Sequence, residues 1–163
     1  MTQGFYRFPT IAGDRVLFVS EDDLWEVSRA GGIARRLTGN IGAVMFPCLS
    51  PDGEQVVFTA TNEGAPDLYV MPRSGGQPRR LTFDGTFALA IRWSEDGKSI
   101  LFSSTRHQPH RNAALFAVNV EGGAVRTLPL GQGFWTWSEA GGKGRVVGRH
   151  RYDLARWKRY KGG

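Results

Sequence analysis

Arg35-Arg36-Leu37-Thr38, followed by Ser50-Pro51-Asp52-Gly53, decides the fold because both motifs return about 44 residues further along the chain. Arg-Arg-Leu-Thr recurs at Arg79–Thr82, and Ser-Glu-Asp-Gly stands at Ser94–Gly97. A degraded third copy, Ser-Glu-Ala-Gly, occupies Ser138–Gly141. A repeat of roughly 40–50 residues built from short apolar strands is typical of β-propeller blades.

Gly-Gly pairs mark the same period, at Gly31–Gly32, Gly75–Gly76 and Gly122–Gly123. We therefore predict an all-β fold, an incomplete β-propeller of about three and a half four-stranded blades. The blades are expected at approximately 5–39, 40–85 and 86–131, with a partial fourth at 132–151 and a basic tail or inter-blade loop at 152–163. A propeller ring needs about four to eight blades, so the chain is expected to be a piece of something larger.

Each blade is predicted to run from an inner strand to an outer one. In the second unit the strands are expected at 43–49, 55–60, 67–72 and 77–82. The corresponding strands are expected at 5–11, 15–20, 23–28 and 33–38 in the first unit, at 87–93, 99–105, 113–120 and 124–129 in the third, and at 134–137 and 145–149 in the fourth. Ser at the first, Pro at the second and Gly at the fourth position favour a type I turn between the first two strands. Aromatic residues recur at matching positions of second and third strands, which predicts core layers that pack one blade on the next: Phe18, Phe58, Phe102, Trp25, Tyr69 and Phe116.

Composition sets further limits on the function. The chain has 163 residues and a net charge of +6. Residues 143–163 hold eight Lys or Arg and one Asp, a charge of +7, whereas the rest holds 13 basic and 14 acidic residues, a charge of −1. The basicity therefore belongs to the tail. The lone Cys48 excludes an internal disulfide framework, and no apolar run approaches the roughly 18 residues of a membrane span. Met1–Thr10 has no apolar signal-peptide core, so a cytoplasmic protein is expected.

Motifs that would carry chemistry are missing from the sequence. It contains no G-x-S-x-G elbow, no phosphate-binding G-x-x-x-x-G-K-[ST] loop and no H-E-x-x-H zinc motif. We expect no catalytic, metal-binding or cofactor-binding residue, and we interpret the chain as non-catalytic by itself.

Two segments are candidate contact sites. The connection between the second and third strands is longest in the third unit, and insertions at one place in a repeat map to one face, often the binding face. This predicts a partner-contact loop at Arg106, His107, His110 and Arg111. The tail mixes cations with aromatic residues, and its candidate contacts are Arg156, Trp157, Lys158 and Arg159. We expect the tail to be an inter-blade segment whose aromatic residues pack on further structure, and we do not expect nucleic acid as a partner. Nucleic acid is the alternative, through phosphate neutralisation and base stacking, and steep salt dependence in a gel shift would favour it.

These residues resemble a known family, the tricorn-type proteases. The resemblance is carried by Phe8-Pro9-Thr10-Ile11, Glu21-Asp22-Asp23-Leu24-Trp25, Gly31-Gly32 with Ala34–Thr38, Ser50-Pro51-Asp52-Gly53 and Arg156–Gly163. The Ser-Pro-Asp-Gly and Arg-Leu-Thr elements are shared with TolB-like propellers, whereas Glu-Asp-Asp-Leu-Trp and Arg-Trp-Lys-Arg-Tyr are more specific to the tricorn type.

The resemblance implies a propeller segment of a cytosolic serine peptidase that trims peptides, often peptides handed on from the proteasome. It implies as partners the rest of the parent protease, its ring-like homo-oligomer and peptide substrates, with the propellers guiding peptides to and from the active site. The family's catalytic residues lie beyond the matching region, so none is assigned here. The alternative is a free-standing TolB-like module that binds proteins. In either case the outer faces of the first and last blades are expected to be exposed and to promote association.

Overall fold

A computed structural model describes residues 5–107, 113–133, 135–138 and 144–147, and every regular element within these ranges is a β-strand. The first sheet contains β1 (Arg7–Ala12), β2 (Arg15–Ser20), β3 (Asp23–Ser28) and β4 (Arg35–Arg36). The second contains β5 (Val44–Leu49), β6 (Gln55–Ala60), β7 (Asp67–Pro72) and β8 (Arg79–Arg80). The third contains β9 (Ala88–Trp93), β10 (Ser99–Ser104), β11 (Ala114–Asn119) and β12 (Arg126–Gln132), and β13 (Trp135–Ser138) pairs with β14 (Gly144–Val147).

All strand pairs are antiparallel, and each four-stranded sheet follows chain order from its first strand to its last. The first strands are neighbours, since β1 contacts β5 and β5 contacts β9. Three such sheets packed face to face, with their first strands on a common inner side, form an incomplete β-propeller. The predicted fold class is confirmed.

The aromatic residues form one cross-strand pair in each blade. Phe18 lies opposite Trp25, Phe58 opposite Tyr69, and Phe102 opposite Phe116. The rings of the second pair stack with centroids 6.0 Å apart, and those of the third pair lie 5.6 Å apart. Residues directly opposite each other project from the same face of a sheet, so each blade has an aromatic face. We call it the leading face and call the opposite side the trailing face.

The blades join by packing a trailing face on the next leading face. Leu17, Val19 and Leu24 of the first blade share a buried cluster with Phe58 and Tyr69 of the second. The second blade repeats the arrangement with Val57, Leu68 and Val70, which share a cluster with Phe102 and Phe116 of the third. Each of these side chains contributes about 1.5–3 kcal/mol when it is fully buried. The predicted aromatic core layers are confirmed for the second and third blades.

The Ser-Pro-Asp-Gly motif forms the predicted turn between the inner two strands. The N–H of Gly53 donates to the Ser50 carbonyl at 2.9 Å, and Gly97 repeats the bond to Ser94 at 3.0 Å. Ser50 Oγ donates to Asp52 Oδ1 at 2.5 Å and accepts from the Gln55 N–H at 2.9 Å. The bond from Ser50, followed by the one from the Glu54 N–H, holds the pKa of Asp52 below its usual value. The motif's serine therefore has a structural role in the turn.

The second arginine of Arg-Arg-Leu-Thr closes a clamp inside its own blade. In the second blade Asp67 accepts from Arg80 at 2.6 Å and from the Thr82 hydroxyl at 2.5 Å. Thr82 Oγ1 in turn accepts the backbone N–H of Leu68 at 3.0 Å. The first blade repeats the clamp with Asp23, Arg36 and Thr38. The outer segment is thus attached to the third strand through side chains.

The first arginine of the motif reaches the next blade. Arg35 donates to the carbonyls of Arg73 and Ser74, both at 2.9 Å, and Arg79 donates to the Val120 carbonyl at 2.6 Å. Arg35 and Arg73 also form ion pairs with Glu26, whose side chain is only 5% exposed. We call each contact between an arginine and the next blade's turn carbonyl an arginine latch.

The third blade has an arginine at the latch position but lacks the aspartate and arginine of the clamp. Pairing of Phe116 with Thr127 places Thr127 where the other blades have Arg36 and Arg80, and Ala114 stands at the aspartate position. Arg126 stays in register with Arg35 and Arg79. Accordingly β12 follows a different course, with a register irregularity between Ala114 and Phe116.

The strand boundaries agree with prediction for the second and third strands of the first two blades and differ elsewhere. The outer strands predicted at 33–38 and 77–82 were wrong in length, because only two residues of each pair as a strand. Beyond each strand the N–H groups of Leu37 and Leu81 still donate to the carbonyls of Leu24 and Leu68, both at 2.8 Å. The N–H groups of Leu24 and Leu68, however, donate to the Thr38 and Thr82 hydroxyls, so the regular ladder of backbone pairs ends there. The third outer strand begins and ends later than predicted, at Arg126–Gln132. The inner strands of the first and fourth units, predicted at 5–11 and 134–137, are found at Arg7–Ala12 and Trp135–Ser138.

Replacing Gly53 with valine tests the turn. Gly53 has φ +75° with open space around it, so a side chain there meets conformational strain alone. We expect Gly53→Val to lower the free energy of unfolding by about 1–3 kcal/mol, measured by urea denaturation. Gly53→Asn is the matched control and should cost less, because asparagine tolerates the left-handed region. Equal stability of Gly53→Val and the parent chain would contradict the turn.

Removing the clamp aspartate tests the role of the clamp. The Asp67 side chain is 2% exposed, so Asp67→Ala leaves Arg80 without its buried partner. We expect a loss of about 3–5 kcal/mol in the free energy of unfolding. The control is Glu63→Ala, which removes the other carboxylate that pairs with Arg80; Glu63 is 59% exposed, and its loss should cost about 0–1 kcal/mol. Similar losses from the two variants would contradict a structural clamp.

Candidate functional site

The inner strands carry β-bulges that shape the wall on the inner side of the blades. In the first blade the pairing register shifts between Arg7 and Thr10, and in the second between Met45 and Cys48. Phe8-Pro9 and Phe46-Pro47 occupy the shifted positions. Proline cannot donate to a strand ladder and is therefore tolerated at a bulge.

The phenylalanines of these bulges have an uncommon backbone conformation. Phe8 and Phe46 both have φ +49°, in the left-handed region that bulky residues avoid at a cost of about 1–3 kcal/mol each. Their rings touch, with centroids 4.4 Å apart. Each also packs against one of the two buried clusters. Packing between the blades thus holds both bulges in a conformation that the local sequence disfavours.

The bulges and the third inner strand enclose an apolar cleft of about 320 Å³. Its lining comes from β1, β5 and β9 and consists of Phe8, Pro9, Thr10, Phe46, Pro47, Cys48, Ala90 and Ile91. We call this surface the inner wall. None of its residues is charged, so it can hold apolar and proline side chains by contact but offers no acid, base or anion site.

Cys48 is the one thiol of the chain, and it lies in the inner wall. Burial raises the pKa of Cys48, against smaller opposing effects of the Trp93 backbone and the charge of Arg92. Its Sγ lies 3.8 Å from the Leu49 carbonyl oxygen. A thiol with a raised pKa is protonated near neutral pH and is a poor nucleophile.

The candidate partner-contact loop is described only in part. Arg106 turns inward, where its guanidinium pairs with Asp84 at 2.9 Å and lies 5.6 Å from the centre of the Phe116 ring. His107 is exposed and has φ +54°. His110 and Arg111 lie outside the described residues, and so do the tail candidates Arg156, Trp157, Lys158 and Arg159. The contact roles of all of these residues stay predictions.

The described ranges also bear on metal and membrane sites. They bring together no group of three or more His, Cys, Asp or Glu side chains. Within the same ranges there is no helix long and apolar enough to cross a membrane.

Sequence reasoning missed the inner wall. The signal was present, because Phe-Pro occurs at residues 8–9 and again at 46–47, both inside predicted inner strands. A proline within a strand indicates a bulge or an edge. The cleft itself depends on how three blades pack, which no single strand reveals.

Comparison with known proteins places this architecture in a family. The chain is 36% identical over 166 aligned residues to the tricorn protease homolog 1 of Streptomyces coelicolor, an alignment that covers 98% of this chain and 15% of that protein. It superposes on the crystal structure of the tricorn protease with a TM-score of 0.74 and 26% identity, over 85% of this chain and 14% of that one. TolB from Acinetobacter baumannii gives a TM-score of 0.58 at 28% identity, over 76% of this chain and 31% of that chain.

The chain thus spans about 15% of the length of the Streptomyces relative. Residues 3–163 match the family model described as the tricorn protease N-terminal β-propeller domain. This match covers nearly the whole chain. The chain therefore belongs to the tricorn protease N-terminal β-propeller family.

Proposed function

We propose that this chain is a non-catalytic part of a tricorn-like serine peptidase of the cytoplasm and that its inner wall guides peptides. Its partners in this role are the rest of the parent protease, assembled as a homo-oligomer, and the peptides that the protease degrades. The observation that carries the proposal is the uncharged apolar cleft formed by the three inner strands. Membership of the family supports the link to peptide degradation.

The chemistry of the inner wall suits passage of peptides better than their retention. Phe8, Phe46 and Ile91 offer apolar contact without fixed charges, so side chains of many kinds meet similar weak attraction. A conduit needs contacts strong enough to admit a ligand and weak enough to release it. The bulges hold these groups in place, because both phenylalanines are also fixed by the packing between blades.

A free-standing protein-binding module is the second candidate, and the similarity to TolB favours it. That function would use an outer surface of the blades to bind a folded protein. The two candidates are separated by whether short peptides bind and by where they bind.

Peptide binding to the whole chain tests the proposal. A fluorescent peptide of about ten residues, rich in Leu, Phe and Pro, should bind weakly, as measured by anisotropy. We expect Ile91→Glu to weaken binding by about tenfold, because the carboxylate would lose water when a peptide covers it.

The matched control is Ile33→Glu. Ile33 is 98% exposed and lies in the turn between β3 and β4, at the outer edge of the first blade. This variant should bind the peptide as the parent chain does. Absence of binding, or equal loss in both variants, would contradict an inner-wall peptide site.

A further inference from the structure

The bulges of the first two inner strands place aromatic rings along the inner wall, and the third inner strand does not. The pairing register gives each inner strand an equivalent position, two residues before the partner of Leu17, Val57 or Leu101. This position is occupied by Phe8 in the first blade, Phe46 in the second and Ala90 in the third. The row of rings therefore ends at the third blade, where a methyl group stands in place of a ring.

The cleft of the inner wall lies between this row of rings and the third inner strand. Both phenylalanines line it together with Ala90 and Ile91, and Ile91 stands where the other two blades have Pro9 and Pro47. The cleft has a volume of about 320 Å³. An engineered apolar cavity of roughly 150 Å³ already holds a benzene molecule. One aromatic side chain therefore fits in the cleft together with part of the peptide that carries it.

The rings of Phe8 and Phe46 are ordered before a ligand arrives. Their centroids are 4.4 Å apart with 49° between the ring planes, and each side chain packs against one of the buried clusters. A surface that is already ordered loses little conformational entropy when it binds a ligand. Aromatic rings prefer offset and tilted contacts to a face-to-face sandwich, so a ring from a peptide can pack in the cleft in the same manner.

The chemistry of the lining distinguishes between kinds of side chain. The residues that line the cleft are uncharged, so a lysine or glutamate side chain of a peptide would lose water there without gaining an ionic partner. A leucine side chain would be buried without that penalty. An aromatic side chain would be buried equally well and would gain the attraction between rings in addition. Among peptide side chains, the cleft therefore suits an aromatic one best.

We propose that the cleft is a subsite for an aromatic side chain, so that the inner wall favours peptides that contain phenylalanine, tyrosine or tryptophan. The inference rests on the proposed guiding of peptides by this wall and adds a preference among those peptides. We expect an aromatic residue to bind about threefold to tenfold more tightly than leucine, the gain that contact between rings adds to burial. A preference of this size leaves the contact weak enough for the peptide to be released.

Two matched peptides test this preference on the full chain. Each consists of glycine, serine and alanine around a single central residue, which is phenylalanine in one peptide and leucine in the other, and neither carries a fluorescent label. The Kd of each peptide is measured by NMR chemical-shift titration. We expect the phenylalanine peptide to bind about threefold to tenfold more tightly. Its ring current should also shift the methyl signals of Ile91, whereas the leucine peptide has no ring to do so.

Three variants locate the preference. Ile91→Phe places a ring of the chain itself in the cleft and should weaken binding of the phenylalanine peptide to the level of the leucine peptide or below. Phe8→Leu keeps the apolar surface but removes a ring, so the two peptides should then bind equally. The matched control is Phe83→Leu, which removes a ring that is 70% exposed and lies outside the cleft, and it should keep the full preference. Thermal melting shows whether each variant is folded, and Ile91→Phe carries the test if Phe8→Leu is not.

The outcomes separate this inference from the proposed guiding role. Equal binding of the two peptides to the unmodified chain would overturn the aromatic preference and leave the guiding role standing. Absence of binding by either peptide would contradict both. A preference that persists in Ile91→Phe, or one that Phe83→Leu removes, would show that the aromatic residue is bound outside the cleft and would overturn the subsite.

Discussion

A four-stranded sheet of this repeat is apolar on both sides, so no blade can bury its side chains alone. The aliphatic trailing face of one blade and the aromatic leading face of the next supply each other's cover, and both buried clusters of the chain lie at such junctions. Stability is therefore shared between neighbours, as it is in other repeat proteins. The inner wall depends on the same packing, because the left-handed Phe8 and Phe46 each pack against one of the two junction clusters.

The Arg-Arg-Leu-Thr motif divides two tasks between adjacent arginines. The second binds an aspartate of its own blade and secures an outer segment in which only two residues pair as a strand. The first crosses to the next blade and gives the junction a direction that apolar contact alone would not supply. In the third blade Ala114 occupies the position of the clamp aspartate, whereas Arg126 occupies the position of the arginine that reaches the next blade. The sequence can therefore lose the clamp and still keep an arginine at the latch position.

The sequence predicts blade type, strand order and the aromatic layers well because turn motifs and alternating apolar residues act locally. The strands Arg15–Ser20 and Gln55–Ala60 were predicted to the residue. The lengths of the outer strands were not predicted correctly. A threonine hydroxyl, instead of a backbone carbonyl, accepts the N–H of Leu24 or Leu68 there, and strand propensities do not indicate such a side-chain bond. The inner wall was not predicted because it depends on how the inner strands of three blades lie side by side. The inward direction of the Arg106 side chain was not predicted either, because it depends on an ion pair with Asp84, which is distant in sequence.

Amide hydrogen exchange on the unmodified chain tests most directly whether blades depend on their neighbours. Both faces of the second blade are covered within the described chain, whereas the leading face of the first is open. If blades depend on their neighbours for burial, amides of β6 and β7 exchange more slowly than those of β2 and β3, by about tenfold or more. Equal exchange in the two blades would show that each is stable by itself and would contradict stability shared between neighbouring blades.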